Sequence, residues 1–311
     1  MVDERVDWFE FFELDKDIIG CTGGKGGTGK TTVAVNIAYM LSKLGKKVLI
    51  IDCDVDNPNV SILMNIELKE IKKINIFVPE FNDKCISCKK CHDVCKPHAI
   101  LHIPDKKPLL FPEICEGCAA CQIICPVGAI DSGFKEIGAL LEGSNYGIDI
   151  IVGRLKVGEP NSSEIVKQEK IYALKKIKEN NYDSIIIDTA PGAHCDVFYS
   201  LFGSKIVLYV TEPTLYGMFD LKRILELVKV IDYPIKSYII LNRSDMTNRH
   251  DLIEKLSEEY SVPIIGQIPL DKSIQVAYAK GVPVIEEFPD SVGSKSYIQI
   301  FNKLKGELKK E

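Results

Sequence analysis

The sequence predicts an α/β fold: a doubly wound, mostly parallel sheet with helices on both faces, into which a small cysteine-rich unit is inserted. Three observations lead there. A glycine-rich loop near the N-terminus joins a short apolar run to a helical pattern. Further short apolar runs end in Asp or Asn, as buried parallel strands do at the ligand-binding end of an open sheet. Eight of the 11 cysteines fall into two copies of one spacing.

The first element is the apolar run Ile18-Ile19-Gly20-Cys21, read as a strand. It feeds Gly23 to Thr32, in which Gly24 to Thr31 fits G-x-x-x-x-G-K-T. Val33, Ile37, Met40, Leu41 and Leu44 follow at helical spacing. The order strand, loop, helix is that of a phosphate loop. Its glycines let successive N–H groups turn inward on a phosphate, and the helix N-terminus adds positive potential. The nucleotide-binding candidates are Gly24, Lys25, Gly26, Gly27, Thr28, Gly29, Lys30, Thr31 and Thr32. Lys30 is placed to reach the β- and γ-phosphates, and the Thr31 hydroxyl to bind Mg²⁺.

Lys25, a second lysine inside the loop, resembles the deviant phosphate loop of the MinD/Mrp/nitrogenase-iron-protein ATPases. The resemblance implies a nucleotide-dependent homodimer, or a heterodimer with a paralogue. In either, Lys25 acts in trans on the partner's nucleotide.

Composition sets the bounds. At 311 residues and 46% hydrophobic content, the chain has room for one large core plus a small module. A net charge of −5 argues against a protein-wide nucleic-acid footprint, so no nucleic-acid partner is expected. No apolar run reaches the roughly 18 residues of a membrane span, and membrane binding is not expected. The N-terminus is acidic and aromatic, unlike a secretion signal. Abundant cysteine without such a signal points to metal ligation in a reducing compartment, and the expected location is cytoplasmic.

Residues 1–17 cluster Trp8, Phe9, Phe11 and Phe12, an arm expected to pack on its own domain. Lys47-Val48-Leu49-Ile50-Ile51 is the next buried strand, ending in Asp52-Cys53-Asp54-Val55-Asp56. This D-x-D segment resembles the family's switch I. Carried over by position, Asp54 orients the attacking water and Asp52 lies close to the Mg²⁺ shell. Asp56 is a third carboxylate with no role assigned.

Cys85, Cys88, Cys91 and Cys95 follow C-x₂-C-x₂-C-x₃-C, and Cys115, Cys118, Cys121 and Cys125 repeat it. This is the two-cluster bacterial ferredoxin pattern. Three closely spaced thiolates wrap three irons of one cube, and the fourth cysteine ligates the other cube. Cys85, Cys88, Cys91 and Cys125 are therefore expected to hold one 4Fe–4S cluster, and Cys95, Cys115, Cys118 and Cys121 a second. The first run ends Cys95-Lys96-Pro97, with lysine where proline is usual. Zinc is the competing assignment for clustered cysteines, and the duplicated spacing disfavours it. The insert, of βαβ type, is placed at residues 81–132. Val78-Pro79 and Asp131-Ser132-Gly133 are its joints, and residues 1–80 and 133–311 form the phosphate-loop domain.

Asp149 to Gly153 reads as a strand and Glu164 to Lys178 as a helix with a solvated outer face. The strand Ser184 to Ile187 ends in Asp188-Thr189-Ala190-Pro191-Gly192. Asp188 fits a Walker B carboxylate held to Mg²⁺ through water. The D-x-x-P-G pattern resembles the family's switch II, with Pro191 and Gly192 following the γ-phosphate. Cys195 lies at the offset of the nitrogenase iron protein's bridging cysteine. The second cysteine that such a bridge needs is absent, so Cys195 is expected to be a buried or redox-idle thiol, and His194 alone is a poor ligand.

Lys205 to Val210, Ser237 to Leu241 and Ile264 to Ile268 read as further strands. By resemblance, Asn242 recognises adenine, and Pro269-Leu270-Asp271 borders the ring. Tyr297, Ile300, Phe301, Leu304 and Leu308 form a helical stripe expected to pack on the sheet.

The motifs together resemble MinD-superfamily ATPases carrying an inserted two-cluster ferredoxin domain. The resemblance implies an ATPase, slow or partner-stimulated, with ATP, Mg²⁺ and two 4Fe–4S clusters as cofactors. Its dimer and switch motions would serve electron transfer to a redox protein partner. An Mrp-type iron–sulfur carrier and a MinD-like redox-sensing switch are the alternatives.

Overall fold

The computed structural model describes residues 10–231 and 233–308. In chain order, α1 (Glu10–Glu13), β1 (Asp17–Thr22), α2 (Lys30–Lys43), β2 (Val48–Cys53), α3 (Val60–Leu63) and β3 (Lys69–Phe81) come before the cysteine unit. That unit holds α4 (Lys90–Val94), β4 (Ile100–Leu101), β5 (Leu109–Leu110) and α5 (Ala120–Ile123). Next come β6 (Ile130–Asn145), β7 (Ile148–Leu155), α6 (Ser162–Glu179), β8 (Ser184–Thr189), α7 (Cys195–Leu201), β9 (Ile206–Thr211) and α8 (Leu215–Lys229). The chain closes with β10 (Lys236–Asn242), α9 (Asp251–Tyr260), β11 (Ile264–Ile268), α10 (Lys272–Lys280), α11 (Val284–Glu287) and α12 (Val292–Lys305).

One sheet runs β11-β10-β9-β1-β8-β2-β7-β6-β3. From β11 to β7 every pairing is parallel, and the last two pairings, β7–β6 and β6–β3, are antiparallel. The central strands are buried along their whole length, which is why they read as unbroken apolar runs. On one face, Val48, Ile50, Ile186, Leu208 and Ile240 pack under α2 and α12. On the other, Leu49, Ile51, Ile185 and Ile187 pack under α6, and Val207, Ile239 and Leu241 under α7, α8 and α9. Side chains of adjacent strand residues thus reach opposite layers.

The aromatic arm packs on its own domain where it is described. Phe11 is buried with the Lys170 ammonium 4.1 Å from its ring centroid, and Phe12 stacks on Phe202 and Tyr233. Trp8 and Phe9 lie outside the described residues. The C-terminal stripe behaves as expected: Tyr297, Ile300, Phe301 and Leu304 are buried against the sheet.

Around the insert the architecture differs from the sequence expectation. The residues read as joints are paired with each other, Val78 with Gly133, Pro79 with Ser132, Glu80 with Asp131 and Phe81 with Ile130. The cysteine unit therefore rides on a two-stranded antiparallel ribbon that continues the sheet, not on linkers. The alternation in β3, buried Ile74 and Ile76 between exposed Lys73 and Asn75, carries the strand signal. From the end of β3 to the start of β6 the order is β3-α4-β4-β5-α5-β6, two strand-helix-strand runs in line with the βαβ order expected of the insert, with β3 paired to β6 and β4 to β5, both antiparallel.

Because Phe81 and Ile130 already face each other, replacing residues 82–129 by Asn-Gly should close the ribbon as a hairpin. The shortened chain is expected to unfold in one cooperative transition within a few degrees of the parent, by circular dichroism and calorimetry. Aggregation or loss of the transition would show that the sheet needs the insert.

Candidate functional site

The phosphate loop leaves β1 and enters α2 at the centre of the sheet, where strand order reverses. Gly29 takes φ 97°, and a Cβ there would lie 2.4 Å from Asn242 Nδ2. That amide donates to Thr28 O at 2.7 Å, so Asn242 braces the loop from 214 residues away. A Cβ on Gly24 would lie 2.1 Å from Asp220 Cβ on α8. Both positions need glycine for close approach. Lys30 is buried, with its ammonium 3.4 Å from Lys25 O. A cleft of about 510 Å³ is bordered by Gly26, Gly27, Gly29, Lys30, Thr31 and Thr32 on one side. Asp54, Pro191, Asn242, Pro269 and Asp271 border it on the others.

Two buried carboxylates sit beneath the loop. Asp52 and Asp188 are directly paired in register across β2 and β8, and both are fully buried. Asp52 accepts from the N–H groups of Val60 at 2.9 Å and Asp54 at 3.4 Å. The Thr31 hydroxyl and Lys30 ammonium face Asp188, but neither of its oxygens has a close hydrogen-bond partner. Burial, then the charge of Asp188, pushes Asp52 well above the usual carboxylate range. Burial pushes Asp188 up to about 7 against the pull of Lys30. Burial also raises Asp54 to about 6. Buried acceptors without donors, beside a threonine hydroxyl and a lysine, fit a hydrated divalent cation. Asp56 is exposed.

At the opposite end of the cleft, the Asp271 carboxylate caps α10, accepting from Ser273 N at 2.8 Å and Gly293 N at 2.7 Å. It borders the cleft, but its charge serves the fold. Tyr278 and Ile274 line the same end and were not singled out from the sequence. Nor was Glu212, which is 1% exposed and held by two cations: Lys25 Nζ lies 2.6 Å from its Oε2, and Arg243 bonds its other oxygen. A carboxylate next to a proline after a strand looks like a turn; only the fold reveals its partners. Lys25 thus points to its own subunit's Glu212 and does not line the cleft. Gly192 N donates to Gly23 O at 3.3 Å, linking the segment after β8 to the loop. Cys195, expected to be a buried or redox-idle thiol, is exposed, because α7 begins at the surface there.

The cysteine unit repeats its backbone as well as its spacing. Ser87, Lys89 and His98 have φ of 51°, 68° and 56°, and Gly117, Ala119 and Gly128, thirty residues later, have 72°, 57° and 60°. Ala99 N donates to Cys95 Sγ and Ala129 N to Cys125 Sγ, each at 3.2 Å. Cys85, Cys88, Cys91 and Cys125 surround one small cavity. In the other half, Cys115 has Cys95 and Cys118 as neighbours, and Cys121 has Cys115 and Cys118. Among the described residues no three His, Cys, Asp or Glu side chains are drawn together around a single metal ion.

Residues 19–284 match the family described as the CobQ/CobB/MinD/ParA nucleotide binding domain. The chain belongs to this family. An uncharacterised protein of Methanocaldococcus jannaschii is 37% identical over 266 residues, covering 85% of this chain and 90% of its own. The cell division ATPase MinD of Pyrococcus furiosus shares the fold, with a TM-score of 0.58 at 20% identity over 94% of this chain and 99% of that one. An iron-sulfur cluster carrier protein of Pyrococcus horikoshii is 23% identical, covering 94% of this chain and 86% of its own. The glycine loop, Asp54 and Asn242 border one cleft, and Asp52 and Asp188 are buried beneath the loop.

The Asp188 carboxyl sets a pH dependence. Its folded value near 7 lies above the unfolded value near 4, so the folded state binds the extra proton between those limits. The metal-free protein should lose stability as pH rises from about 4 to 7. Asp188→Asn should then melt higher than the parent at pH 8, by on the order of 2 kcal/mol, with the gap closing near pH 4. Melting curves of metal-free protein across that range check this; an equal gap at every pH would contradict it.

Proposed function

We propose that this protein is an ATP-hydrolysing iron–sulfur protein. Nucleotide-driven dimerisation and switch movement would govern electron delivery from two 4Fe–4S clusters to a redox protein partner. The carrying observation is the duplicated cysteine geometry mounted rigidly on the sheet of a nucleotide-binding domain. Thiols spaced around a cavity suit a four-iron cube better than a single zinc ion, which needs sulfur at about 2.3 Å. Cys85, Cys88, Cys91 and Cys125 would hold one cluster, and Cys95, Cys115, Cys118 and Cys121 the other. Bound there, the clusters supply one-electron storage and transfer.

On the nucleotide side, the loop N–H groups and Lys30 would hold the phosphates, and Thr31 and Asp188 the Mg²⁺. A MinD of Pyrococcus horikoshii with 22% identity has been solved with Mg-ADP, which supports that pairing of ligands. Asp54, at the cleft wall, would orient the attacking water. Ionised above its raised value of about 6, it can accept a hydrogen bond from that water. Asn242 and Pro269 would border the base. Asp271 would act there through the shape of the α10 start, since its carboxylate is already engaged.

For dimerisation, Lys25 must leave Glu212 to reach a partner's nucleotide. Glu212→Gln removes the charge that holds it and should let MgATP dimerise the protein at lower concentration. Lys25→Ala should abolish MgATP-driven dimers while MgADP still binds. Sedimentation velocity with each nucleotide reads both; a dimer unaffected by Lys25→Ala removes the trans role.

The deciding experiment is a redox titration of anaerobic protein followed by electron paramagnetic resonance, without nucleotide and with MgADP or MgATP. A tenfold affinity difference between redox states moves a one-electron midpoint by about 59 mV. A shift of that order supports coupling, and its absence in Lys30→Ala would tie it to nucleotide. The resemblance to carrier proteins supports a second reading, cluster donation. Transfer of iron to an apo-acceptor in the presence of chelator would favour it, since four ligands per cluster predict retention.

A further inference from the structure

The two cysteine sets are near-copies in backbone, so a difference between their clusters must come from the surroundings. One difference stands out. Lys135, on β6, donates to Pro112 O at 2.6 Å, at the head of the segment leading to Cys115. The same ammonium lies 2.7 Å from Glu159 Oε2, on the connection between β7 and α6. Both side chains are largely shielded, at 18% and 14% exposure. Lys135 is near enough to Cys115 for its charge to act there. The first site has cations too, for Lys89 and Lys90 line its cavity. Those two are exposed, and Lys89 is paired with Asp93 at 3.2 Å in solvent. Water and salt screen such charges, whereas the shielded Lys135–Glu159 pair is screened much less and each of its charges is felt locally.

We propose that Lys135 sets the redox potential of the second cluster, held by Cys95, Cys115, Cys118 and Cys121, with Glu159 as its counter-charge. This rests on the reading that the cysteines hold 4Fe–4S clusters. Reduction adds one electron and one negative charge to a cluster. A nearby ammonium stabilises that added charge and raises the midpoint, and a nearby carboxylate opposes it. Lys135 bonds the loop of the second site directly, whereas Glu159 bonds Lys135. The second cluster is therefore the higher-potential one, and a single electron shared between the two rests there. Lys135 is a positioning and tuning residue, not a ligand.

The test is a redox titration by electron paramagnetic resonance on anaerobic full-length protein: parent, Lys135→Gln, Lys135→Arg and Glu159→Gln. Cys118→Ala identifies which signal belongs to the second site. The parent should show two midpoints, the upper from the second cluster. Lys135→Gln should lower that midpoint, Glu159→Gln should raise it, and Lys135→Arg should restore it, with the other midpoint unmoved throughout. Opposite shifts from the two neutral variants are the signature of charge, because a packing defect has no reason to change sign. If Lys135→Gln fails to assemble the second cluster, Glu159→Gln and Lys135→Arg still decide. One common midpoint in the parent, shifts of the same sign, or movement of both clusters overturns the proposal. A parent protein without any 4Fe–4S signal overturns the cluster reading itself, which is a separate failure.

Discussion

The structure turns on two carboxylates buried side by side under a glycine loop. Asp52 and Asp188 end adjacent strands in register, so the sheet itself forces their charges together. Both are fully buried, and Asp188 is faced by the Thr31 hydroxyl and the Lys30 ammonium but has no close partner on either oxygen. Such an arrangement costs free energy unless protons or cations neutralise it. Lys30 supplies part of the compensation from the start of α2, where it too is buried. The remaining imbalance is of the kind that a divalent cation carried in by phosphates would relieve. A fold that closed this gap with its own side chains would be more stable and would bind less.

The second organising feature is the ribbon of β3 and β6. An insertion of cysteine loops would be easiest on flexible joints, yet here strand pairing runs unbroken to Phe81 and Ile130. The unit then packs back on that ribbon. A Cβ on Gly117, in the second cysteine loop, would lie 2.9 Å from Ile76. Cys91, Ile100, Cys121 and Ile130 form its small core, against Phe77 and Phe81. Sheet and cysteine loops are therefore mechanically continuous, and an orientation set at one is held at the other. The outer edge is guarded by Lys69, Lys72, Lys73 and Pro79 in β3, which discourage pairing with another chain.

Lys25 would serve two arrangements in the proposed dimerisation, and the observed one is its pair with Glu212. Glu212 is 1% exposed and lies between Lys25 and Arg243, so its charge is compensated twice. Removal of one cation leaves the other in place, which makes the release of Lys25 less costly than breaking a lone buried pair. The same logic of shielded pairs recurs at Lys135 and Glu159 on the cysteine side. In both places a shielded carboxylate holds a lysine, Lys25 within the glycine loop and Lys135 against the segment leading to Cys115.

Local chemistry was legible in the chain by itself. The phosphate loop, the carboxylates at strand ends and the duplicated cysteines are set by short spacings that need no tertiary contact to be read. Unbroken apolar runs marked β2, β8, β9 and β10 because strands buried on both faces carry no alternation. Tertiary structure decided what lies far apart in sequence. Asn242 meets Thr28 across 214 residues, Glu212 captures Lys25, and Lys135 joins Pro112 to Glu159. It also made an edge ribbon of residues that look like joints, since a half-exposed strand with lysines and a proline resembles a linker until its partner is in place. The physical reason is common to all these cases. A motif is a property of neighbours along the chain, while the partner of a buried charge is chosen by the sheet order that brings distant strands together.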